Sequence, residues 1–105
     1  MFNLFKKKEK SKRELPSGTI RKRYYFEGTV QNIGFRFEIQ KRAKPLGITG
    51  FAQNNGTVTA DLQGREKDID KVITDLQNIN RIQIDFISEK DLPVDYYEKD
   101  FYILY

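Results

Sequence analysis

The stretch ITGFAQNNGTVTADLQG, residues 48–64, predicts two neighbouring β-strands joined by a tight turn. In residues 57–63 every second residue is apolar, which is the period of a strand with one buried face. Residues 48–53 form the other candidate strand. Asn55 and Gly56 lie between the two, and this dipeptide is the strongest short signal for a two-residue hairpin turn. We therefore expect an antiparallel hairpin at the centre of the fold.

Amphipathic helices are predicted on both sides of this hairpin. Residues 35–46 carry apolar side chains along one helical face, and Pro45 and Gly47 end that pattern. Residues 65–78 repeat the pattern at positions i, i+3, i+4 and i+7. The apolar positions are Phe35, Ile39, Ala43 and Leu46 in the first helix and Ile69, Val72, Ile73 and Leu76 in the second.

Three further strands are predicted outside the two helices. Aromatic and β-branched residues indicate a strand over residues 21–29, and a last strand over residues 101–105 follows Pro93. Between them, apolar residues alternate once more, at Ile82, Ile84 and Phe86. The order is βαββαβ, with room for a short extra strand. It predicts an α+β fold of the ferredoxin-like kind, an antiparallel sheet with both helices on one face.

The charge of the chain is concentrated in its first eighteen residues. Of the net charge of +4, residues 1–18 supply all of it, with six basic and two acidic residues, while residues 19–105 hold thirteen of each sign. We expect residues 1–19 to form a basic, poorly ordered tail and residues 20–105 to form one domain. The tail could touch an anionic membrane surface, but its apolar start is too short to span a bilayer. Because the domain is neutral, no nucleic-acid partner is expected.

The chain contains neither cysteine nor histidine. This excludes disulfides, thiol and histidine phosphatases, and the Ser–His–Asp arrangement. Any chemistry must therefore rely on arginine, lysine, amide, carboxylate, hydroxyl or backbone groups. Nothing in the composition indicates an oxidising compartment, and no long apolar stripe indicates an oligomer, so we expect a cytoplasmic monomer.

Residues 28–36, GTVQNIGFR, connect the first strand to the first helix. A helix start presents unpaired N–H groups and the positive end of the helix dipole, so anions bind there readily. Asn32 and Gly34 tolerate the left-handed dihedral angles that bring successive N–H groups together. Arg36 adds a guanidinium group that matches a phosphate. These features favour a phosphate-holding loop, although an ordinary strand-to-helix turn with a surface arginine would share them.

The same nine residues resemble the acylphosphatase signature G-x-V-Q-G-V-x-F-R. Further positions typical of that family follow in the same order, and the resemblance covers nearly all of residues 21–105. The matching positions are Ala43, Leu46-Gly47-Ile48, Gly50-Phe51, Asn54, Gly56-Thr57-Val58, Leu62-Gln63-Gly64, Tyr97, Asp100 and Phe101.

The resemblance implies the ferredoxin-like fold and the hydrolysis of small acyl phosphates to carboxylate and phosphate, with no metal or other cofactor. It implies that the N–H groups of residues 32–36 and the guanidinium group of Arg36 bind the phosphate, and that Asn54 orients the attacking water. The expected phosphate-binding residues are Asn32, Ile33, Gly34, Phe35 and Arg36, and the expected catalytic residues are Arg36 and Asn54.

Two hypotheses other than an enzyme stay open. Asn32 and Ile33 stand where the family usually has glycine and valine, and a two-residue turn would pair Asn54 with Thr57 and shorten the usual loop. A chain with these changes could hold anions yet turn over poorly, as an acylphosphatase-like phosphate-binding module. The other hypothesis assigns the function to the basic tail, at a nucleic acid or a membrane surface.

Overall fold

The computed structural model describes residues 11–30 and 34–105. The strands are β1 (Thr19–Thr29), β2 (Thr49–Asn54), β3 (Val58–Arg65), β4 (Gln83–Leu92) and β5 (Phe101–Leu104). Helix α1 (Phe35–Ala43) follows β1 and runs into a 3-10 turn (Lys44–Leu46), and helix α2 (Glu66–Gln77) follows β3. This is the predicted order with the extra strand, so the ferredoxin-like α+β fold is confirmed. Residues 1–10, most of the predicted tail, and residues 31–33 lie outside the described residues.

The five strands form one sheet in the order β4-β1-β3-β2-β5. The first four strands run antiparallel to their neighbours, as predicted, but β5 pairs in parallel with β2, so the sheet is mixed. The chain leaves β4 at one edge of the sheet and returns at the opposite edge, and residues 93–100 make this crossing. Because β4 runs antiparallel to β2, a strand that begins at the end of the sheet where β4 finishes runs parallel to β2.

The turn between β2 and β3 differs from the two-residue hairpin predicted from Asn55 and Gly56. Asn54 pairs with Val58, not with Thr57, so three residues form the loop. Register explains the difference, because residues opposite each other in a ladder share a face of the sheet. The observed register sets buried Ala52 opposite buried Ala60, whereas a two-residue loop would set Ala52 opposite a residue of the other face.

Strand β4 departs from the alternation predicted for Ile82, Ile84 and Phe86. Its pairing with β1 shifts by one residue, so that Gly28 lies opposite Ile84 and the preceding residue of β1 lies opposite Phe86. This bulge leaves Asp85 unpaired and reverses the facing of the residues after it. Phe86 is consequently 70% exposed, and Ile87 packs against the core in its place.

Both helices pack on one face of the sheet around a single core. The predicted apolar stripe of α2 is confirmed, and so is the burial of the apolar residues of β3, although Asp61 and Gln63 on the other face of β3 are buried as well. In α1 the first three predicted positions are buried, and the fourth, Leu46, packs against the core from the 3-10 turn. The buried apolar residues of these three elements are Phe35, Ile39, Ala43, Val58, Ala60, Leu62, Ile69, Val72 and Leu76.

The other face of the sheet carries a buried group of charges beneath the crossing segment. Asp61 is only 2% exposed and accepts hydrogen bonds from the guanidinium groups of Arg21 and Arg23. Arg21 also donates to Glu98 of the crossing segment, at 2.7 Å. Arg13 donates to the Glu98 carbonyl oxygen, also at 2.7 Å, so the described end of the predicted tail lies against this segment.

Candidate active site

Strands β1, β2 and β5 all finish at the same end of the sheet. Strands β1 and β2 both run antiparallel to β3, so they are parallel to each other, and Phe26 and Asn54 lie opposite the same residue, Val58. Strand β5 runs parallel to β2 and therefore ends on the same side. This topology brings the β1–α1 connection, the end of β2 and the C-terminal residues together, although they are far apart in the sequence.

The start of α1 is fixed by Gly34 and Phe35. Gly34 has the left-handed conformation (φ 75°, ψ 20°) that glycine adopts at little cost, and it caps the helix by accepting the Glu38 N–H at 3.0 Å. Phe35 is buried and meets the ring of Phe26 edge-on, with ring centroids 5.0 Å apart. The first N–H groups of α1 therefore start from an anchored position, and such groups have no partner within their own helix.

Arg36 lies in the first turn of α1 and reaches the C-terminal residues. Its Nη1 donates to the carbonyl oxygen of Leu104 at 3.0 Å, and its guanidinium carbon lies 5.3 Å from the ring centroid of Tyr105. A guanidinium group carries five N–H donors, so one hydrogen bond to Leu104 leaves four that an anion could use. The contact with the final residues restricts where this group can point.

Asn54 is the last residue of β2. Its side-chain oxygen accepts the N–H of Gly56 at 3.2 Å, a local turn in which an Asn side chain bonds the backbone two residues later. This contact fixes the plane of the amide. The oxygen retains a second acceptor site and the NH₂ group has two donors. Asn54 thus has both kinds of group that can orient a water molecule.

A small cavity of about 190 Å³ brings these residues together. Its lining includes Gly34, Phe35, Arg36 and Asn54, four of the six predicted site residues. The other two, Asn32 and Ile33, lie outside the described residues. The other described residues that line the cavity are mainly apolar: Val30, Phe37, Val58, Ile103 and Tyr105.

The sequence analysis did not predict that Phe37 and Tyr105 line the cavity. Phe37 is the first residue after the signature, which ends at Arg36, and Tyr105 reaches the site only because β5 lies parallel to β2. The sequence did contain a signal for the position of Tyr105, since residues 93–100 are long enough to carry the chain across the sheet. Without the strand order, however, a segment of this length could equally be a loop that stays on one side of the sheet.

The nearest acidic side chain on α1 is neutralised by arginines. Glu38 accepts hydrogen bonds from Arg42 and Arg81, and these bonds, led by that of Arg42, hold the pKa of Glu38 below its usual 4.5. An unpaired carboxylate two residues from Arg36 would repel a bound phosphate. Pairing this charge therefore favours anion binding at the start of α1.

In residues 11–30 and 34–105 no three acidic side chains converge in a way that could hold a metal ion. The same residues include no helix that is long and apolar enough to cross a membrane.

Comparison with known proteins points to one family. The acylphosphatase family model matches residues 22–103. The acylphosphatase of Clostridium perfringens is 42% identical over 85 residues, which are 78% of this chain and 96% of that protein. The acylphosphatase of Clostridium acetobutylicum is 36% identical over 81 residues, which are 74% of this chain and 89% of that protein.

A solved structure has the same fold. The crystal structure of acylphosphatase from Bacillus subtilis superposes with a TM-score of 0.74 at 24% identity, covering 82% of this chain and 99% of that one. The family model spans all of α1 and β2 and most of β1 and β5, the elements that build the site. The chain therefore belongs to the acylphosphatase family.

Proposed function

We propose that this protein hydrolyses small acyl phosphates to carboxylate and phosphate, using Arg36 and the start of α1 to bind the phosphate and Asn54 to orient the water. The observation that supports this most is the shared cavity. Arg36 and Asn54 come from different elements, yet both line one cavity at the N-terminus of a helix. Membership of the acylphosphatase family favours this enzyme over the phosphate-binding module.

The chemistry requires little proton transfer. Water attacks phosphorus, the bond from phosphorus to the acyl oxygen breaks, and its electron pair leaves with the carboxylate. The proton of the water passes to solvent or to the phosphate product. Since a carboxylate is a weak base, the leaving group needs no general acid, and the main demand is to stabilise the charge on the phosphoryl oxygens. Arg36 and the N–H groups of α1 are suited to that role.

Placement of the water is the second demand. An in-line attack requires a water molecule on the side of phosphorus opposite the acyl oxygen. Asn54 lies at the end of β2, beside the start of α1 but on a separate element, so it can approach the phosphate from a different direction. Its amide offers one free acceptor site and two donors, as the turn with Gly56 uses only one lone pair.

The test is the hydrolysis of benzoyl phosphate by the full chain in the presence of a chelator. We expect turnover in the wild type and a loss of about 10²- to 10³-fold in kcat for Arg36→Ala, the effect of removing one donor that stabilises charge in the transition state. Inorganic phosphate should inhibit the wild type competitively. Asn54→Ala should lower kcat while leaving the affinity for inorganic phosphate, measured by titration calorimetry, within about twofold of the wild type.

A matched control separates the site from a general effect of charge. Arg65→Ala removes an exposed arginine at the start of α2, outside the cavity, and should leave kcat unchanged. Folded wild-type protein that binds inorganic phosphate without turnover would contradict the enzyme and support the binding module. Turnover that requires added metal would contradict the metal-independent mechanism.

We further propose a cytoplasmic monomer in which residues 20–105 act as the catalytic domain and residues 1–19 as a basic tail. The chain has no cysteine and so no disulfide that would require an oxidising compartment. Light scattering during size-exclusion chromatography tests the monomer. Removal of residues 1–10 should leave benzoyl phosphate hydrolysis unchanged, since every described residue that lines the cavity lies within residues 30–105.

A further inference from the structure

Two large aromatic side chains stand exposed at the mouth of the cavity. Phe37 is 55% exposed and Tyr105 is 97% exposed, and both line the same cavity as Arg36 and Asn54. Neither belongs to the buried core. Exposed aromatic side chains that border a polar site commonly contact a ligand, because they offer a large apolar surface with few rotatable bonds.

Phe37 lies on the solvent side of α1. The residues of α1 that face the core are Phe35, Ile39 and Ala43, at the spacing of one helical face. Phe37 is two residues beyond Phe35, which turns it by roughly 200° from that face. Packing of the fold therefore does not require an aromatic residue here. At the cavity, the ring of Phe37 is available to contact a ligand.

Tyr105 is held over the site by Arg36. The hydrogen bond from Arg36 to the carbonyl oxygen of Leu104 fixes the end of the chain, and the guanidinium group lies 5.3 Å from the centroid of the Tyr105 ring. One face of the ring thus meets the arginine proposed to bind phosphate. The rest of the ring is open to solvent and available to a second group.

The polar groups of the site set the direction in which a substrate would lie. A phosphoryl group bound by Arg36 and the N–H groups at the start of α1 occupies the polar part of a cavity of about 190 Å³. The acyl group attached to it must then project toward the mouth. Among the described lining residues, the exposed aromatic side chains are Phe37 on α1 and Tyr105 after β5.

We propose that Phe37 and Tyr105 are the residues that determine acyl-group specificity, and that they select acyl phosphates with a flat aromatic acyl group over those with a small one. This inference rests on the proposed function. An aromatic acyl group can pack against both rings and remove their apolar surface from water, whereas an acetyl group is too small to reach both.

The test compares kcat/KM for benzoyl phosphate and acetyl phosphate in the wild type and in the double variant Phe37→Ser/Tyr105→Ala. We expect the preference for benzoyl phosphate over acetyl phosphate to fall about tenfold or more, mainly through a higher KM for benzoyl phosphate. The ratio of the two substrates isolates the acyl group, because any effect of Tyr105 on the position of Arg36 acts on both. Phe86→Ser removes an aromatic that is exposed elsewhere, on β4, and should leave the ratio unchanged.

A binding measurement separates failure of this inference from failure of the proposed function. Phenylphosphonate cannot be hydrolysed, so its affinity relative to inorganic phosphate reports on aromatic binding even if the protein has no turnover. The wild type should bind phenylphosphonate about tenfold more tightly than phosphate, and the double variant should lose this difference. Turnover with an unchanged substrate ratio, or equal affinities for the two anions in the wild type, would overturn the inference.

Discussion

Replacing Gly50 with alanine should destabilise the sheet far more than an ordinary glycine-to-alanine change. Gly50 lies in β2 between β3 and β5, opposite Leu62 on one side and Phe101 on the other. Its φ of 144° is one that residues with a side chain rarely adopt. A β-carbon added here would lie 1.8 Å from the carbonyl oxygen of Asp61, where ordinary contact begins at 3.4 Å.

The size of the effect follows from the unfavourable φ and from the close contact with Asp61. Holding a residue other than glycine at this φ costs about 1–3 kcal/mol. Relief of the clash moves β2 away from β3 and breaks ladder hydrogen bonds, and a buried backbone group left without a partner costs about 1–3 kcal/mol. We therefore expect a loss of about 4 kcal/mol, a large part of the 5–15 kcal/mol typical of a small domain.

Urea unfolding followed by tyrosine fluorescence measures this loss. With an m-value of about 1.5 kcal/mol per M, a loss of about 4 kcal/mol lowers the midpoint by about 2.7 M. Gly47→Ala is the matched control, since Gly47 is also left-handed (φ 71°) but has nothing within 4 Å of the added carbon. It should lose only about 1–2 kcal/mol. Equal losses in the two variants would refute the reasoning from the close approach of β2 and β3.

Two further predictions concern charged groups. Asp61→Ala should lower the free energy of unfolding by about 3–5 kcal/mol, because it leaves the guanidinium groups of Arg21 and Arg23 without their buried partner. Glu38→Gln should lower stability at pH 7 but not in acid. The hydrogen bond from Arg42 lowers the pKa of Glu38 in the folded state, so its stabilisation is present above about pH 4.5 and is lost as the pH falls through the lowered value.

Both predictions have simple controls. Glu89→Ala removes an exposed carboxylate paired with Lys22 at 3.0 Å and should cost less than about 1 kcal/mol, in contrast to Asp61→Ala. Similar losses for the two acids would count against the importance of burial. For Glu38→Gln, the difference from the wild type is measured by urea unfolding at several pH values. A difference that does not shrink in acid would mean that charge pairing is not its cause.

The elements of the fold could be predicted because each has a local pattern. The stripe of α2 and the alternation of apolar residues in β3 arise because one face of each element packs against the core. The apolar residues therefore recur at regular spacing in the sequence. The register predicted for the β2–β3 turn is wrong because it rests only on the local preference of Asn55 and Gly56 for a two-residue turn. The burial of Ala52 and Ala60 decides the register, and it depends on the whole sheet.

For the site, too, the sequence determines some features and the tertiary structure determines others. By itself, the sequence determined the kinds of group available, since a chain with neither histidine nor cysteine must bind an anion through arginine and backbone groups, and it placed Arg36 at a helix start and Asn54 at a strand end. Only the tertiary structure decided that Tyr105 lies over Arg36. That contact depends on β5 crossing the sheet to pair in parallel with β2, and pairing between distant segments leaves no regular spacing in the sequence.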